Sequence, residues 1–478
     1  MSLQVINDFR FRMLARCLKD SGGRLFVVGG LARDSMIELL LGNKPPTTHS
    51  GLSDKDLVCF GLDLEKIKEA VSALGATWII DHRILSNREG KEPFLVKTRI
   101  GESDFSITLS KKLSRNGGYF DQAAELFEDA LCRDFTVNAV YYDPILEVFS
   151  DPLKAANDFY ARRLELCSLT GLSEDPVRIL RAMSFVSRLG FTAGPKLLEA
   201  TVRDWPLLAW VPPDRLWPEW RKWALGFWPR FGLEFLRETG ALAFWPDLMA
   251  LINSPQLHKF HPEGDVWNHT LLVVESMSRL NLPVSMGRVF LTMASLLHDI
   301  GKPTVTYVRP DGLVVTRGHG PAGIPLARKF LRSVKAPSSV TKPVLKIIER
   351  HMDMSFREPT TLSLRVLARR LAPFCDLSHF WALSRADWNG RNPCPTKYPW
   401  TLEEFLEPVN GEKGPGAIPL EAKELMAGLD LKGGPMVGRL MEIISSAFDS
   451  GKITTSQEAM ELAASYLEEP NLCCFQSR

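Results

Sequence analysis

Two aspartates stand one residue apart in LSDKDLVCF: Asp54 and Asp56, just ahead of an apolar run. Asp is a poor strand former, yet alternation along a strand sends residues i and i+2 to one face. Carboxylates placed side by side repel each other unless a cation lies between them, and a divalent metal is the natural occupant. D-x-D alone is a short pattern that mostly marks turns or solvated edges, so its neighbourhood has to decide. Upstream, in LFVVGGLARD, an apolar strand runs into Gly29-Gly30 and opens a helix. Paired glycines there let backbone N–H groups and a helix N-terminus approach a phosphate, and Arg33 follows one turn in. Downstream, Asp104 lies on the strand-like GESDFSITLS. Three carboxylates holding two Mg²⁺ beside a glycine turn suit phosphoryl or nucleotidyl transfer: one metal acidifies the attacking hydroxyl, the other neutralises triphosphate and leaving pyrophosphate.

Two further stretches carry polar groups at useful spacing, CRDFTVNAVYYDP (132–144) and SEDPVRILRAMSFVSRLGF (173–191). Asp175 and Arg178 are three apart, so a helix start presents them on one face. A carboxylate acceptor and a guanidinium fork so placed match the Watson–Crick edge of a base. The plainer alternative is a capping acid with an i,i+3 ion pair.

A different chemistry gathers between 261 and 391. His269 sits in DVWNHTLLVVES, His298-Asp299 in MASLLHDIGKP, His319 in RGHGPAG, His351 in IIERHMD and Asp387 in LSRADWNGR. A lone His on an apolar helix is usually a hydrogen-bonded core residue. An adjacent His-Asp closed by Gly-Lys-Pro, with three more His and an Asp on successive helical segments, is better explained by metal ligation. Imidazole with carboxylate suits Mn²⁺, Fe, Ni²⁺, Co²⁺ or Zn rather than Mg²⁺ alone. Lys302 reads as a phosphate contact or as a surface lysine at a helix end.

The elements that must position these groups change along the chain. A length of 478 residues calls for two to four domains. Hydrophobic content of 45% and charged content of 24% are ordinary for a globular protein. A net charge of +2 announces no nucleic-acid binder but leaves room for local basic patches. Eight scattered cysteines without a C-x-x-C pair exclude a zinc ribbon and fit reduced thiols in a cytoplasmic protein. MSLQVINDFRFRM has no apolar core, so a signal peptide is not expected, and no apolar run is long enough for a membrane span. Residues 1–150 read as an α+β unit: a helix, the strand RLFVVGG, the helix LARDSMIELLLG ending at Gly42, the D-x-D strand, then ATWII, PFLVKTRI and SDFSITLS. From about 155 the pattern becomes helical and stays so. Seven of the twelve tryptophans fall between 205 and 245, at helical spacing that predicts bundle core.

Taken in order, VVGGLARD, DKD, RDFTVNA, EDPVRILRAMSF and LRETGALAFWPDL resemble the motifs of bacterial class II tRNA nucleotidyltransferases, a family that includes poly(A) polymerases. The resemblance covers roughly residues 24–250. It implies a polymerase-β-like palm over 1–150, an all-α neck over 151–215 and a body over 216–258. It further implies tRNA, CTP and ATP as partners, with no membrane. By position, Asp54 and Asp56 become metal carboxylates and Asp104 the third. Arg133, Asp134 and Asn138 fall in the motif that contacts sugar and triphosphate, Asp175 with Arg178 in the motif that pairs with the incoming base, and Gly29, Gly30, Arg33 and Arg181 complete the nucleotide-binding set that the resemblance implies. There are two departures. Cys132 stands where the family has an arginine, and the flexible loop expected in SKKLSRNGGYFDQAAELFED (110–129) matches loosely. That loop governs the switch from C to A addition, so CCA, CC alone, A alone or poly(A) remain open as products.

The order H…HD…H…H…D resembles the HD phosphohydrolase superfamily, placing an HD domain over 259–408 and a helical tail over 409–478. HDIGKP with GHGPAG is similar to the HD domain fused to gamma-proteobacterial tRNA nucleotidyltransferases. Rival readings are a metal phosphohydrolase with a non-catalytic RNA-binding head, and a non-catalytic RNA-binding protein. The oligomeric state is not legible.

Overall fold

The structure is a computed structural model; it describes residues 6, 8–42, 55–80, 95–100, 103–109, 122–283, 286–353, 360–394, 396–409, 420–449 and 452–468. The chain forms two compact units. One comprises Met1–Pro255, Gly264–Asn281 and Lys329–Pro337; the other comprises Gln256–Glu263, Leu282–Arg328 and Ser338–Arg478.

The first unit begins with a mixed sheet. Its strands are β1 (Arg24–Val27), β2 (Lys55–Phe60), β3 (Thr77–Ile80), β4 (Leu95–Ile100), β5 (Ser103–Leu109), β6 (Tyr141–Asp143) and β7 (Val148–Ser150), in the spatial order β3-β4-β5-β2-β1-β6-β7. β2 and β5 pair in parallel and the other neighbours antiparallel. Period-2 alternation divides the side chains between two cores. Leu25, Val27, Leu57, Cys59, Phe105 and Ile107 pack with Phe11, Leu14 and Leu18 of the helix Phe9–Asp20. Phe26, Val58 and Phe60 face the other way, against Leu126, Ala130 and Tyr141.

β2 therefore delivers its two polar residues to opposite sides. Lys55 goes inward, where Nζ donates to Ser103 Oγ at 2.8 Å and lies 5.3 and 5.0 Å from the ring centres of Phe11 and Phe105. Asp56 goes outward and is exposed.

Beyond Ala155 the first unit is mostly helical, with one departure from a purely helical reading: a short parallel pair, Arg163–Leu164 with Thr192–Ala193. The helices Val177–Leu189, Leu216–Ala224 and Pro229–Glu238 pack around Trp220 and Trp223, both fully buried, with Trp245 against Trp220 at 5.1 Å. The expected tryptophan core is thus present, but Trp210 is 83% exposed and belongs to no core. A short 3₁₀ turn, Thr136–Asn138, occupies the middle of RDFTVNA.

The second unit is helical apart from the hairpin Tyr307–Val308 with Val314–Val315. The helix Arg288–Leu297 packs on Ser338–Arg350 and on Leu377–Asn389. The helices Ala422–Gly428, Pro435–Asp449 and Ser456–Glu468 enclose a separate apolar cluster around Leu425, Leu440 and Ile444. Among the described residues, no helix is long and apolar enough to cross a membrane.

Candidate functional sites in the two units

In the first unit the glycine turn and the D-x-D strand meet. Val28 N–H donates to the Asp56 carbonyl at 2.9 Å, joining the strand ends. Gly29, the first residue of the helix Gly29–Leu41, has φ +67, and a Cβ there would stand 2.9 Å from Asp56 Oδ2. Only glycine tolerates both the dihedral and the approach. Asp54 lies outside the described residues, as do 110–121 of the expected flexible loop; 122–129 belong to the helix Gln122–Cys132. Asp104 shares the face of Asp56, because Asp56 pairs with Ser106 and alternation returns Asp104 to the same side. Its carboxylate is engaged by Arg99, with Nε at 2.6 Å, and that bond first of all lowers its pKa.

Four predicted residues form one connected network. Arg33 Nη1 donates to Asn138 Oδ1 at 2.9 Å, Asn138 Nδ2 donates to Asp134 Oδ1 at 2.9 Å, and Arg181 Nε donates to Asp134 Oδ2 at 2.9 Å. Burial alone would raise the Asp134 carboxyl; the Arg181 charge and the Asn138 bond outweigh it and hold the pKa at about 2. The network spans the helix Gly29–Leu41, the RDFTVNA turn and the helix Val177–Leu189. It fixes the first arginine beyond the glycine turn, and its acid is ionised throughout the neutral range.

Three other predicted residues sit differently from the expectation. Arg133 turns back onto Asp129 at 2.8 Å and Tyr141 Oη at 3.1 Å, so it braces the strand β6. Asp175 is not on a helix face with Arg178. It caps the end of the short helix Gly171–Glu174, and both its oxygens accept from the fork of Arg215 at 2.8 and 2.9 Å. Arg178 donates instead to the Cys132 carbonyl at 2.9 Å and to those of Arg133 and Gly171 at 3.3 Å. Neither the shared helix face nor the i,i+3 pair is formed. Arg215 was missed because it follows Asp175 by forty residues, beyond any local spacing.

In the second unit, imidazoles converge on one carboxylate. His298 Nε2 and His319 Nε2 each stand 3.2 Å from Asp299, His351 Nε2 stands 3.9 Å from it, and the last two Nε2 atoms are 3.0 Å apart. All four residues are buried. A common device aims the rings: each Nδ1 bonds to the carbonyl three residues upstream, at Ser295, Thr316 and Ile348, by 2.9, 2.9 and 2.6 Å. Nδ1 is thereby the donor, and Nε2 is the ring nitrogen turned toward Asp299, as metal sites require. Close packing makes the convergence possible. A Cβ on Gly301 would meet the His319 carbonyl at 2.1 Å and Gly323 N at 2.5 Å, so the HDIGKP and GHGPAG segments touch backbone to backbone.

Lys302 is no surface lysine; it is buried, with Nζ 2.6 Å from Asp299 and 2.6 Å from Gln256 Oε1. Burial raises the Asp299 carboxyl, but the charges of His298 and Lys302 hold it well below the carboxylate range. His351 is pushed down to about 4 by burial and by His319. Asp387, on the helix Leu377–Asn389, lines the same cavity of about 280 Å³ with Arg391 and His261. His269 is fully buried on the helix Val266–Arg279 of the first unit. The Asp299, His319 and His351 donor atoms lie within 4.8 Å of one another, and this imidazole and carboxylate set fits a divalent transition metal.

Comparison with known proteins finds two domain families in the chain. Residues 25–165 match the Poly A polymerase head domain and residues 266–370 match the HD domain. The multifunctional CCA protein of Shewanella frigidimarina is 27% identical over 370 residues, 75% of this chain and 79% of that protein. A Bacillus stearothermophilus CCA-adding enzyme solved in complex with CTP superposes with a TM-score of 0.58, 19% identity and coverage of 98% and 99% of the two chains. An apo tRNA-processing enzyme gives a TM-score of 0.55 at 18% identity, over 92% of this chain and 97% of that one. At these identities the two solved structures establish the fold. The multifunctional CCA protein of Vibrio parahaemolyticus is 32% identical over 344 residues, 69% of this chain and 76% of that protein, and the chain therefore belongs to this family of HD-bearing class II tRNA nucleotidyltransferases.

Proposed function

We propose that the chain completes tRNA 3′ ends, adding C, C and A from CTP and ATP without a nucleic-acid template. The observation that carries this reading is the apposition of the Asp56 carboxylate to the Gly29 turn, which brings a metal-holding acid to a phosphate-binding backbone. Asp54, Asp56 and Asp104 would hold Mg²⁺, which supplies Lewis acidity toward the α-phosphate and charge neutralisation for the tail. The chain's own groups do the rest. Backbone N–H groups at Gly29-Gly30 and the Arg33 guanidinium hold the triphosphate, and the Asp134–Asn138–Arg181 network keeps Arg33 in place. Asp175 accepts from the exocyclic amine that cytosine and adenine share, while Arg178 donates to the acceptor edge beside it. Uracil and guanine put a carbonyl where that amine would be, and a carboxylate rejects it.

The HD domain, in this reading, removes terminal 3′-phosphates or opens 2′,3′-cyclic phosphates, with water adding to phosphorus and the P–O3′ bond breaking, so that the 3′-hydroxyl that nucleotide addition needs is freed. His298, Asp299, His319, His351 and Asp387 would hold a Ni²⁺, Mn²⁺ or Co²⁺ ion, which supplies Lewis acidity toward the phosphoester, and Lys302 steadies Asp299. We further draw the head, neck, body, HD and tail boundaries at 150, 215, 258 and 408, and place the enzyme with its tRNA substrate in the cytoplasm.

The test is direct. tRNA ending at the discriminator base, at C or at CC is incubated with each nucleotide singly and together, and product lengths are read on a gel. Growth by C, C and A in turn is expected. Addition that stops at CC, is confined to A, or runs on as poly(A) replaces the CCA product with the corresponding one. No addition with any substrate sinks the transfer reading.

A further inference from the structure

Three guanidiniums gather at one aromatic ring. The Cζ atoms of Arg33, Arg181 and Arg188 lie 5.2, 6.0 and 4.6 Å from the centre of Phe185. Two of these cations are matched. Arg33 pairs with Asp34 at 2.7 Å and Arg181 with Asp134 at 2.5 Å. Arg188 is not: its Nε donates to the Ser184 carbonyl at 3.3 Å, and among the described residues it forms no ion pair. The buried Glu219 also faces this cluster, but its oxygens accept from Lys222 at 2.7 Å and Ser184 at 2.9 Å, with Arg181 at 3.9 Å.

Four cations (Arg33, Arg181, Arg188, Lys222) thus face three acids (Asp34, Asp134, Glu219), and the surplus belongs to Arg188. A half-buried guanidinium beside two like charges is costly to hold. Burial first, then Arg33, pull its pKa down to about 10. An anion would relieve this. The location says which one: Arg33 Nη2 is 3.7 Å from the position of a Cβ on Gly30, the second residue of the turn that abuts Asp56.

We propose that Arg188 binds the triphosphate tail of the incoming nucleotide, completing a cradle with Arg33 and the Gly29-Gly30 turn. This rests on the nucleotidyl-transfer reading above. A planar fork suits phosphate oxygens, and the helix Val177–Leu189 places Arg181, Phe185 and Arg188 on one stripe at i, i+4 and i+7. CTP and ATP carry the same tail, so Arg188 contributes equally to both and has no part in choosing the base. A phosphodiester near the tRNA 3′ end is the other source of the same chemistry, and the test separates the two.

Arg188→Met keeps the aliphatic packing against Phe185 without the charge. KM is measured for CTP, ATP and tRNA, together with inhibition by inorganic tripolyphosphate. The KM values for CTP and ATP rise by one common factor, roughly 10- to 100-fold for a lost charge-assisted contact, and tripolyphosphate inhibition weakens in parallel. The CTP-to-ATP preference and the KM for tRNA stay put, and Arg188→Lys recovers part of the loss. Nucleotide KM values within about twofold of wild type overturn the proposal. So does a rise confined to tRNA, which would hand Arg188 to the RNA backbone. Should Arg188→Met fail to fold by circular dichroism, Arg188→Gln carries the same measurements. Wild-type protein that adds no nucleotide sinks the transfer reading instead, and equilibrium binding of tripolyphosphate to wild type and variant then decides Arg188 alone.

Discussion

Asp56 has a double claim on its position: its carbonyl accepts from Val28, and its carboxylate stands against Gly29. Asp56→Ala leaves the backbone bond intact but removes the acid that faces the turn. Nucleotide addition should fall by several kcal/mol of transition-state stabilisation, on the order of a thousandfold or more, with the melting temperature little changed. Retention of a tenth of the wild-type rate would remove Asp56 from the metal-binding role. Asp175 differs, because Arg215 occupies both its oxygens before any nucleotide arrives. Its exposed ion pair is worth little in stability, so Asp175→Ala should fold normally and lose selectivity. Incorporation of GTP or UTP relative to CTP and ATP should rise by roughly one to two decades, the effect of one lost hydrogen bond of about 1–3 kcal/mol. Unchanged preference in single-nucleotide assays would reduce Asp175 to a helix cap with a salt bridge. Arg178 is a poorer probe, since its fork also ties the Cys132, Arg133 and Gly171 carbonyls together.

At the scale of elements, alternation was the legible signal. The split of Leu25 and Val27 from Phe26, and of Lys55 from Asp56, follows from a period of two and needs no tertiary information. Gly42 ending its helix with φ +68 was equally legible. What spacing could not deliver was the engagement of Asp104 by Arg99, of Arg133 by Tyr141 and of Asp175 by Arg215, because each depends on which segments the fold apposes. Arg188 was within reach: it continues the stripe of Arg178 and Arg181, but it lies three residues past the end of the EDPVRILRAMSF motif. The Asp134 network carries a pH signature. Its folded pKa of about 2 lies below the ordinary 3.8, so the stabilisation is complete above about pH 4 and is lost as pH falls from about 4 toward 2. Melting temperatures of wild type and Asp134→Asn should differ by the equivalent of about 2 kcal/mol near neutrality and converge over that window. A constant difference across it would mean that the carboxyl does not titrate there. In the second unit the backbone contact at Gly301 sets the HD geometry. Gly301→Ala forces the HDIGKP and GHGPAG segments apart, and should cost about 1–3 kcal/mol in thermal denaturation along with most of the metal uptake.

Across the whole molecule, the nucleotide network and the Asp299 constellation lie in different compact units, each with its own apolar core. That separation predicts two activities that mutations can divide. Asp299 is the natural point of attack, because His298, His319 and Lys302 all direct a nitrogen at it. Asp299→Asn keeps the shape but removes the charge, so a metal loses its anionic donor and Lys302 its counter-ion. His298→Ala removes a ring whose Nδ1 is already committed to Ser295, so no neighbour can take its place. Either change should abolish hydrolysis of 2′,3′-cyclic phosphate RNA and of p-nitrophenyl phosphate, and should lower bound metal by elemental analysis. CTP incorporation into tRNA should continue at the wild-type rate, since the described groups assigned to nucleotide addition belong to the other unit. Chelation followed by reloading adds an independent arm. Ni²⁺, Mn²⁺ or Co²⁺ should restore the hydrolase better than Mg²⁺, whose preference for oxygen donors fits three imidazoles poorly. If protein reloaded with each metal in turn leaves both substrates intact, the convergent histidines hold the unit together and do no chemistry. If Asp299→Asn instead stops CTP incorporation, the two units work as one, and the division of labour proposed here is wrong.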